Sequence, residues 1–363
     1  MAFAPLHRLA RIIGLGIVVA TLGTCDRQGA PVADPPSASE VTTHETRPAT
    51  LRGWHYRVTP DPRLESAAVE VYFVGDAPPM LTLGADEALP HIHDVRRADA
   101  TPYVATATGY RLESMPADGC LTYTVDFNGL EADQGVGRGV GRTGNSLMLR
   151  ASAWLLRPAQ RPSEADVTLR LSLPEGMSAA LPWATRGDGP RGTSQATYVV
   201  PDTSFYWTSI AVLGDLAIDR FEHAGTSVEL VRLDAEIACT PDGLRSWVID
   251  AIDTVAMLFE GRFPRQRLQL MVLPTEGGGN QSVYFGMATR GGGPGVLIFL
   301  DDQAKAEALP GGWTTVHELL HHGMPFIDDS WMAEGWVSYY TELMRTRMGH
   351  RTEVEGWQAL HER

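Results

Sequence analysis

Between Leu51 and Leu216 apolar and polar residues alternate. Val69, Val71 and Phe73 are interleaved with Glu70 and Tyr72; Leu121, Tyr123, Val125 and Phe127 with Thr122, Thr124 and Asp126; Val167, Leu169 and Leu171 with Thr168 and Arg170. Successive side chains of a strand point to opposite faces, so this alternation predicts half-buried strands. Leu147 to Leu156 and Phe205 to Leu213 read as further strands. Pro60-Asp61-Pro62, Pro78-Pro79 and the run Gly135, Gly137, Gly139, Gly141 and Gly144 separate them. That glycine run lacks the Lys-Ser/Thr ending of a phosphate loop and reads as a hairpin connection. Many short strands with Gly/Pro turns predict an all-β, sandwich-like domain over residues 51–221. His91 and His93 are placed as alternate strand residues would be, but no third ligand accompanies them, and a surface loop is the preferred reading.

From residue 222 the pattern changes. Val228 to Leu233 reads as a strand, followed by a helix with Thr240 as its cap and Pro241 in its first position. Trp247, Val248, Ala251, Ile252, Val255, Leu258 and Phe259 give that helix one apolar stripe. Leu268 to Leu273 and Gly295 to Leu300 are apolar strand-like runs; between them Gly277-Gly278-Gly279-Asn280 leads into Ser282 to Phe285. A helix from Met332 to Met344 carries Trp336, Tyr339, Tyr340 and Leu343 at helical spacing. The prediction is an α+β, multidomain chain: a β-sandwich-like domain, then a mixed α/β domain over 222–363.

The candidate chemistry lies in that second region, in Val316-His317-Glu318-Leu319-Leu320-His321-His322. Residues four apart on a helix share a face, about 6 Å apart along the axis. His317 and His321 are so placed, and one Zn²⁺ takes two such imidazole nitrogens. Glu318 stands beside the pair, where a general base for a water activated by the metal belongs. A catalytic zinc needs a third protein ligand, and Glu334 on the following helix is preferred. Asp328 or Asp329 in the intervening loop is the alternative. Met324 and Ile327 stand where the metzincin pattern requires glycine and a third histidine, which excludes that pattern. The competing reading is a buried helix whose histidines serve only hydrogen bonding.

His317-Glu318-Leu319-Leu320-His321, a spacer, then Trp331-Met332-Ala333-Glu334-Gly335-Trp336-Val337-Ser338-Tyr339-Tyr340 resembles the gluzincin metallopeptidases. The likeness is strongest to the glycyl-aminopeptidase branch that often carries a PDZ domain, with the alanyl aminopeptidases as second relatives, and it covers Thr314 to Leu343. It implies a zincin-type catalytic domain holding one zinc ion through His317, His321 and Glu334, with Glu318 as base, hydrolysing peptide bonds of a peptide or protein substrate. Twelve residues separate His321 from Glu334, fewer than in either branch. In those families a Gly-rich stretch before the zinc helix contains a glutamate that grips the substrate amine. Here Glu276-Gly277-Gly278-Gly279-Asn280-Gln281 has no acid after the glycines. The families also place an oxyanion-stabilising tyrosine well downstream of the glutamate ligand. Only 29 residues follow Glu334. Either the C-terminal part is truncated, or Tyr339, Tyr340 or His350 takes the role. The function expected is zinc-dependent peptide-bond hydrolysis. The alternative is a non-catalytic envelope protein that keeps the zincin scaffold to bind a peptide or partner.

Composition adds a location. Arg8 and Arg11 precede an apolar run from Ile12 to Gly23, too short to span a bilayer comfortably. Leu22-Gly23-Thr24-Cys25 is similar to a bacterial lipobox, so residues 1–25 read as a signal peptide that leaves a lipid on Cys25. Ordinary cleavage nearby and an uncleaved anchor are the alternatives. Residues 26–50, rich in Pro, Ala, Ser and Thr, read as a flexible tether. The expectation is an exported protein of the bacterial periplasm or cell envelope, touching the membrane only through that lipid. A net charge of −14 argues against nucleic acid as a partner. Of three cysteines, Cys120 and Cys239 either pair in an oxidising compartment or remain buried thiols.

Overall fold

The computed structural model describes residues 50–362 apart from 136–137, 203–208, 277–280, 291 and 328. Residues 1–25, read as a signal peptide, nearly all of 26–50, read as a tether, the glycine run 277–280, Asp328 and the first part of the Phe205–Leu213 run lie outside the described residues. No described helix is long and apolar enough to cross a membrane.

The alternating runs form strands. Ser66–Val74, Cys120–Asp126 and Asp166–Leu171 bury their apolar positions in a seven-stranded sheet, and two four-stranded sheets accompany it. Side chains from all three sheets share one core, with Trp54, Tyr123 and Trp154 almost wholly enclosed. Two strands stop earlier than alternation predicts. Phe127 opens a helix, Phe127–Gln134, because Asp126 caps it by accepting from the Gly129 N–H at 3.0 Å. Ser146–Arg150 ends in a 3₁₀ turn, Ala151–Ala153, which carries Trp154 and Leu156 into the core. In the glycine run Gly135, at φ 63°, closes the helix, and Val140–Thr143 then pairs antiparallel with Ser146–Arg150. His91 is turned to Asp133 at 2.8 Å while His93 is exposed.

The second region is built on a five-stranded sheet in the order Ala217–His223, Thr226–Arg232, Arg267–Thr275, Gly295–Asp301, Val283–Thr289. The middle three strands are parallel and both outer strands antiparallel. Both faces are covered, which is why the central strands are continuously apolar. Val228, Leu230, Leu268, Leu270, Val272, Val296 and Ile298 pack toward a crossover helix, Pro241–Ala256. Val231, Met271, Leu273 and Leu297 face the other way, onto Met148, Ala180, Ile210 and Val212 of the preceding β-sheets. The crossover helix starts as its sequence predicts, with the Thr240 side chain accepting from the Gly243 N–H. Cys239, just before it, is a buried free thiol, so no Cys120–Cys239 disulfide forms.

Two helices complete the arrangement: a histidine helix, Trp313–Leu320, and a glutamate helix, Ser330–Met348. The turn at Gly311 ties them together. Its N–H donates to Asp250 of the crossover helix at 2.8 Å, and its carbonyl accepts from the Arg345 Nε of the glutamate helix at 2.6 Å. Arg345 also pairs with the wholly buried Glu342 at 3.2 Å, and Arg351 approaches the same carboxylate at 3.6 Å. A buried carboxylate that loses a cationic partner destabilises the fold by about 3–5 kcal/mol. Arg345→Met is therefore expected to lower unfolding stability by about that amount. The double change Glu342→Met with Arg345→Met should recover much of it, as read from denaturant midpoints.

Candidate metal centre

The histidine helix is seated by Val316, Leu319 and Leu320, all fully buried, which leaves His317 and His321 on its opposite face. Their rings lie 4.9 Å apart, nearly perpendicular at 87°. Trp313, one turn earlier, stacks on His317 at 4.3 Å. The glutamate helix brings Glu334 to both: its Oε2 is 3.0 Å from His317 Nε2 and 3.5 Å from His321 Nε2. One ligand atom from each residue falls within 4.8 Å of the others. Asp329, the loop alternative, is instead the cap of the glutamate helix and accepts from the Trp331 N–H at 3.3 Å.

Two imidazoles and a carboxylate are the donor set of a hydrolytic zinc site. Burial pushes His321 down to about 4, so its ring is neutral and carries a lone pair, although the Glu334 carboxylate pulls the other way. The residues present therefore fit the ion. His322, adjacent in sequence, is buried as well and pushed down to about 3; its Nε2 donates to the Gly295 carbonyl at 3.1 Å, which fastens the helix end to the sheet.

Glu318 is buried beside the cluster, and its Oε2 accepts from the Ala288 N–H of the edge strand Val283–Thr289 at 2.7 Å. Burial raises its carboxyl to about 7, against the downward pull of that backbone donor. The strand comes this close because residue 286 is glycine. A Cβ there would stand 2.6 Å from Glu318 Cγ and 2.7 Å from Thr314 Cγ2.

Sequence reasoning missed Arg290. It directly follows the edge strand, and its Nη2 lies 3.1 Å from His321 Nδ1, with the guanidinium 5.6 Å from the Phe326 ring centre. A guanidinium only donates, so Nδ1 accepts and the ring proton is on Nε2. Ligation through Nε2 places that proton on Nδ1, two donors then face each other, and Arg290 must leave the contact. The only signal in the letters was a cationic residue between a strand and a glycine-rich turn, which is common. Of the suggested oxyanion donors, Tyr340 stacks on Trp336 within the apolar cluster, Tyr339 is largely exposed, and His350 is engaged by Asp250 at 3.2 Å. Glu276 is exposed at the end of a central strand.

No family model matches the sequence, and no curated protein matches it. Among solved structures the chain is similar to an aminopeptidase N family protein from Idiomarina loihiensis, with a TM-score of 0.64 and 14% identity over 84% of this chain. The fold is aminopeptidase N-like. The chain spans 56% of the length of that protein. An M1 zinc metallopeptidase from Deinococcus radiodurans, 17% identical with a TM-score of 0.47, aligns over 84% of this chain and 72% of its own, too loosely to add to the argument.

The close approach at Gly286 is open to a direct test. Overpacking at such a contact costs about 1–3 kcal/mol. Gly286→Val is expected to lower unfolding stability within that range and Gly286→Ala by less, measured side by side in denaturant.

Proposed function

We propose that the protein is a zinc-dependent peptidase of the gluzincin type, using Glu318 as general base. One observation carries this reading: His317, His321 and Glu334 converge from two helices while a buried carboxylate, held by a backbone N–H, stands beside them. A bound Zn²⁺ supplies Lewis acidity at this point and brings the pKa of a water toward about 7. The remaining work falls to the chain. Glu318, with its carboxyl raised to about 7, is poised to take a proton from the attacking water and hand it to the departing amine. The Ala288 N–H fixes the orientation of that carboxylate without neutralising it. Val283–Thr289 is the outer strand of its sheet, and an extended peptide can add along its free side through main-chain hydrogen bonds. The pattern of residues 1–50 supports export with a lipid on Cys25, which the mass of the mature N-terminus would reveal.

Purified protein should contain about one zinc per chain, and Glu318→Gln should retain it. Turnover of a peptide library should fall about 10²–10⁴-fold in that variant, the usual worth of general base catalysis. Equal turnover in the two proteins would remove Glu318 from the role. Chelation should abolish turnover and added zinc restore it, whereas His317→Ala should lose both metal and activity. A protein that binds zinc and peptides without cleaving any would be a binding module on the same scaffold.

A further inference from the structure

We propose that a cationic cavity beside the metal centre receives a carboxylate of the substrate, gripped by Arg290 and Arg265. The inference rests on the peptidase reading and names the class of substrate it takes. The cavity, of about 340 Å³, is lined by Arg290 and Arg265 together with Thr289, His321, His322 and Phe326, and among the described residues no acidic one lines it. Some arginines of the chain are matched to carboxylates, Arg191 and Arg220 to Glu229, Arg245 to Asp219 and Arg345 to Glu342, and others, such as Arg232 and Arg267, donate to backbone carbonyls. Among the described residues neither Arg265 nor Arg290 has a carboxylate within ion-pair distance. In an acidic protein, two unmatched guanidinium groups in one recess form a local anion site. The hydrogen bond Arg290 makes to His321 Nδ1 is incompatible with Nε2 ligation, so the metal-bound state frees the guanidinium for another partner.

A second cavity favours one source of the carboxylate. An apolar pocket of about 450 Å³, walled by Phe259, Met324, Trp336 and Tyr340, shares Arg290, His321 and Met324 with the first. A C-terminal residue carries its carboxylate and its side chain on one Cα, so two recesses that meet at Arg290 suit it. An Asp or Glu side chain would use only the cationic one. The geometry thus points to peptides ending in a free carboxylate after a large apolar residue.

The test is equilibrium binding by calorimetry to zinc-loaded Glu318→Gln protein. Three peptides are compared: one with an apolar last residue as the free C-terminal acid, the same peptide as its amide, and an amide that has glutamate in the last position instead. Hydrogen bonds to charged groups contribute about 1.5–3 kcal/mol, so the acid is expected to bind about tenfold or more tighter than the plain amide. Arg290→Gln should erase that preference, Arg290→Lys keep part of it, and Arg265→Gln reduce it. Tight binding of the glutamyl amide alone would keep the carboxylate site and assign it to acidic side chains. Equal affinity for acid and amide, equal weakening of both by Arg290→Gln, or no binding by any carboxylate-bearing peptide would overturn the proposal. Zinc content of the same samples separates the two readings. A carboxylate preference without zinc would fell the peptidase reading and leave the cavity standing, and zinc with turnover but no preference would do the reverse.

Discussion

The turn at Gly311 is the constraint on which the candidate centre depends. Ligands from two helices meet at one point only if those helices are fixed relative to each other, and a displacement of about 1 Å is enough to spoil such a site. Here the crossover helix supplies Asp250 to the Gly311 N–H, and the glutamate helix supplies Arg345 to the Gly311 carbonyl, two residues before the histidine helix begins. Three helices are thereby referred to a single residue. Glu342 completes the arrangement by holding Arg345 from its own helix. The charged pair is buried, so its value lies in registry more than in net stability.

The chemistry also depends on low polarity around its parts. His317, Glu318 and His321 are each less than 10% exposed, whereas the side chain of Glu334 is 57% exposed. Burial favours the uncharged form of imidazole and carboxyl alike, and it acts in the useful direction for both a ligand and a base. The sheet beneath contributes by being covered on both faces: the crossover helix packs on one and the preceding β-sheets on the other. The edge strand that touches Glu318 is hydrogen-bonded to that covered sheet through Gly295–Asp301.

Much of this was legible in the letters where the signal is local. The Thr240-Pro241 start, the period-two strands and the His317–His321 spacing all rest on neighbours a few residues apart. Glu334 was preferred to the loop aspartates because a helix fixes a ligand better than a loop does, and it lies beside both imidazoles. What escaped reading depends on distant backbone. The Ala288 N–H bonds Glu318 across thirty residues, and Arg290 reaches His321 across thirty-one. A main-chain donor has no letter of its own, and an arginine near a glycine turn is usually solvated. Phe127 was misassigned for a related reason: alternation continued through it, while a cap contributed by Asp126 redirected the chain.

The pairing between Val283–Thr289 and Gly295–Asp301 slips by one residue between Val283 and Phe285, so Tyr284 is passed over in the ladder. Downstream of that bulge the bare Gly286 backbone meets Glu318, and the Ala288 N–H points at its carboxylate. Because orientation alternates along a strand, gaining or losing one residue here would reverse every position that follows. Descendants of this chain can thus vary side chains along the strand except at Gly286, but its length is frozen, and insertions that diversify the recess have to enter beyond Thr289.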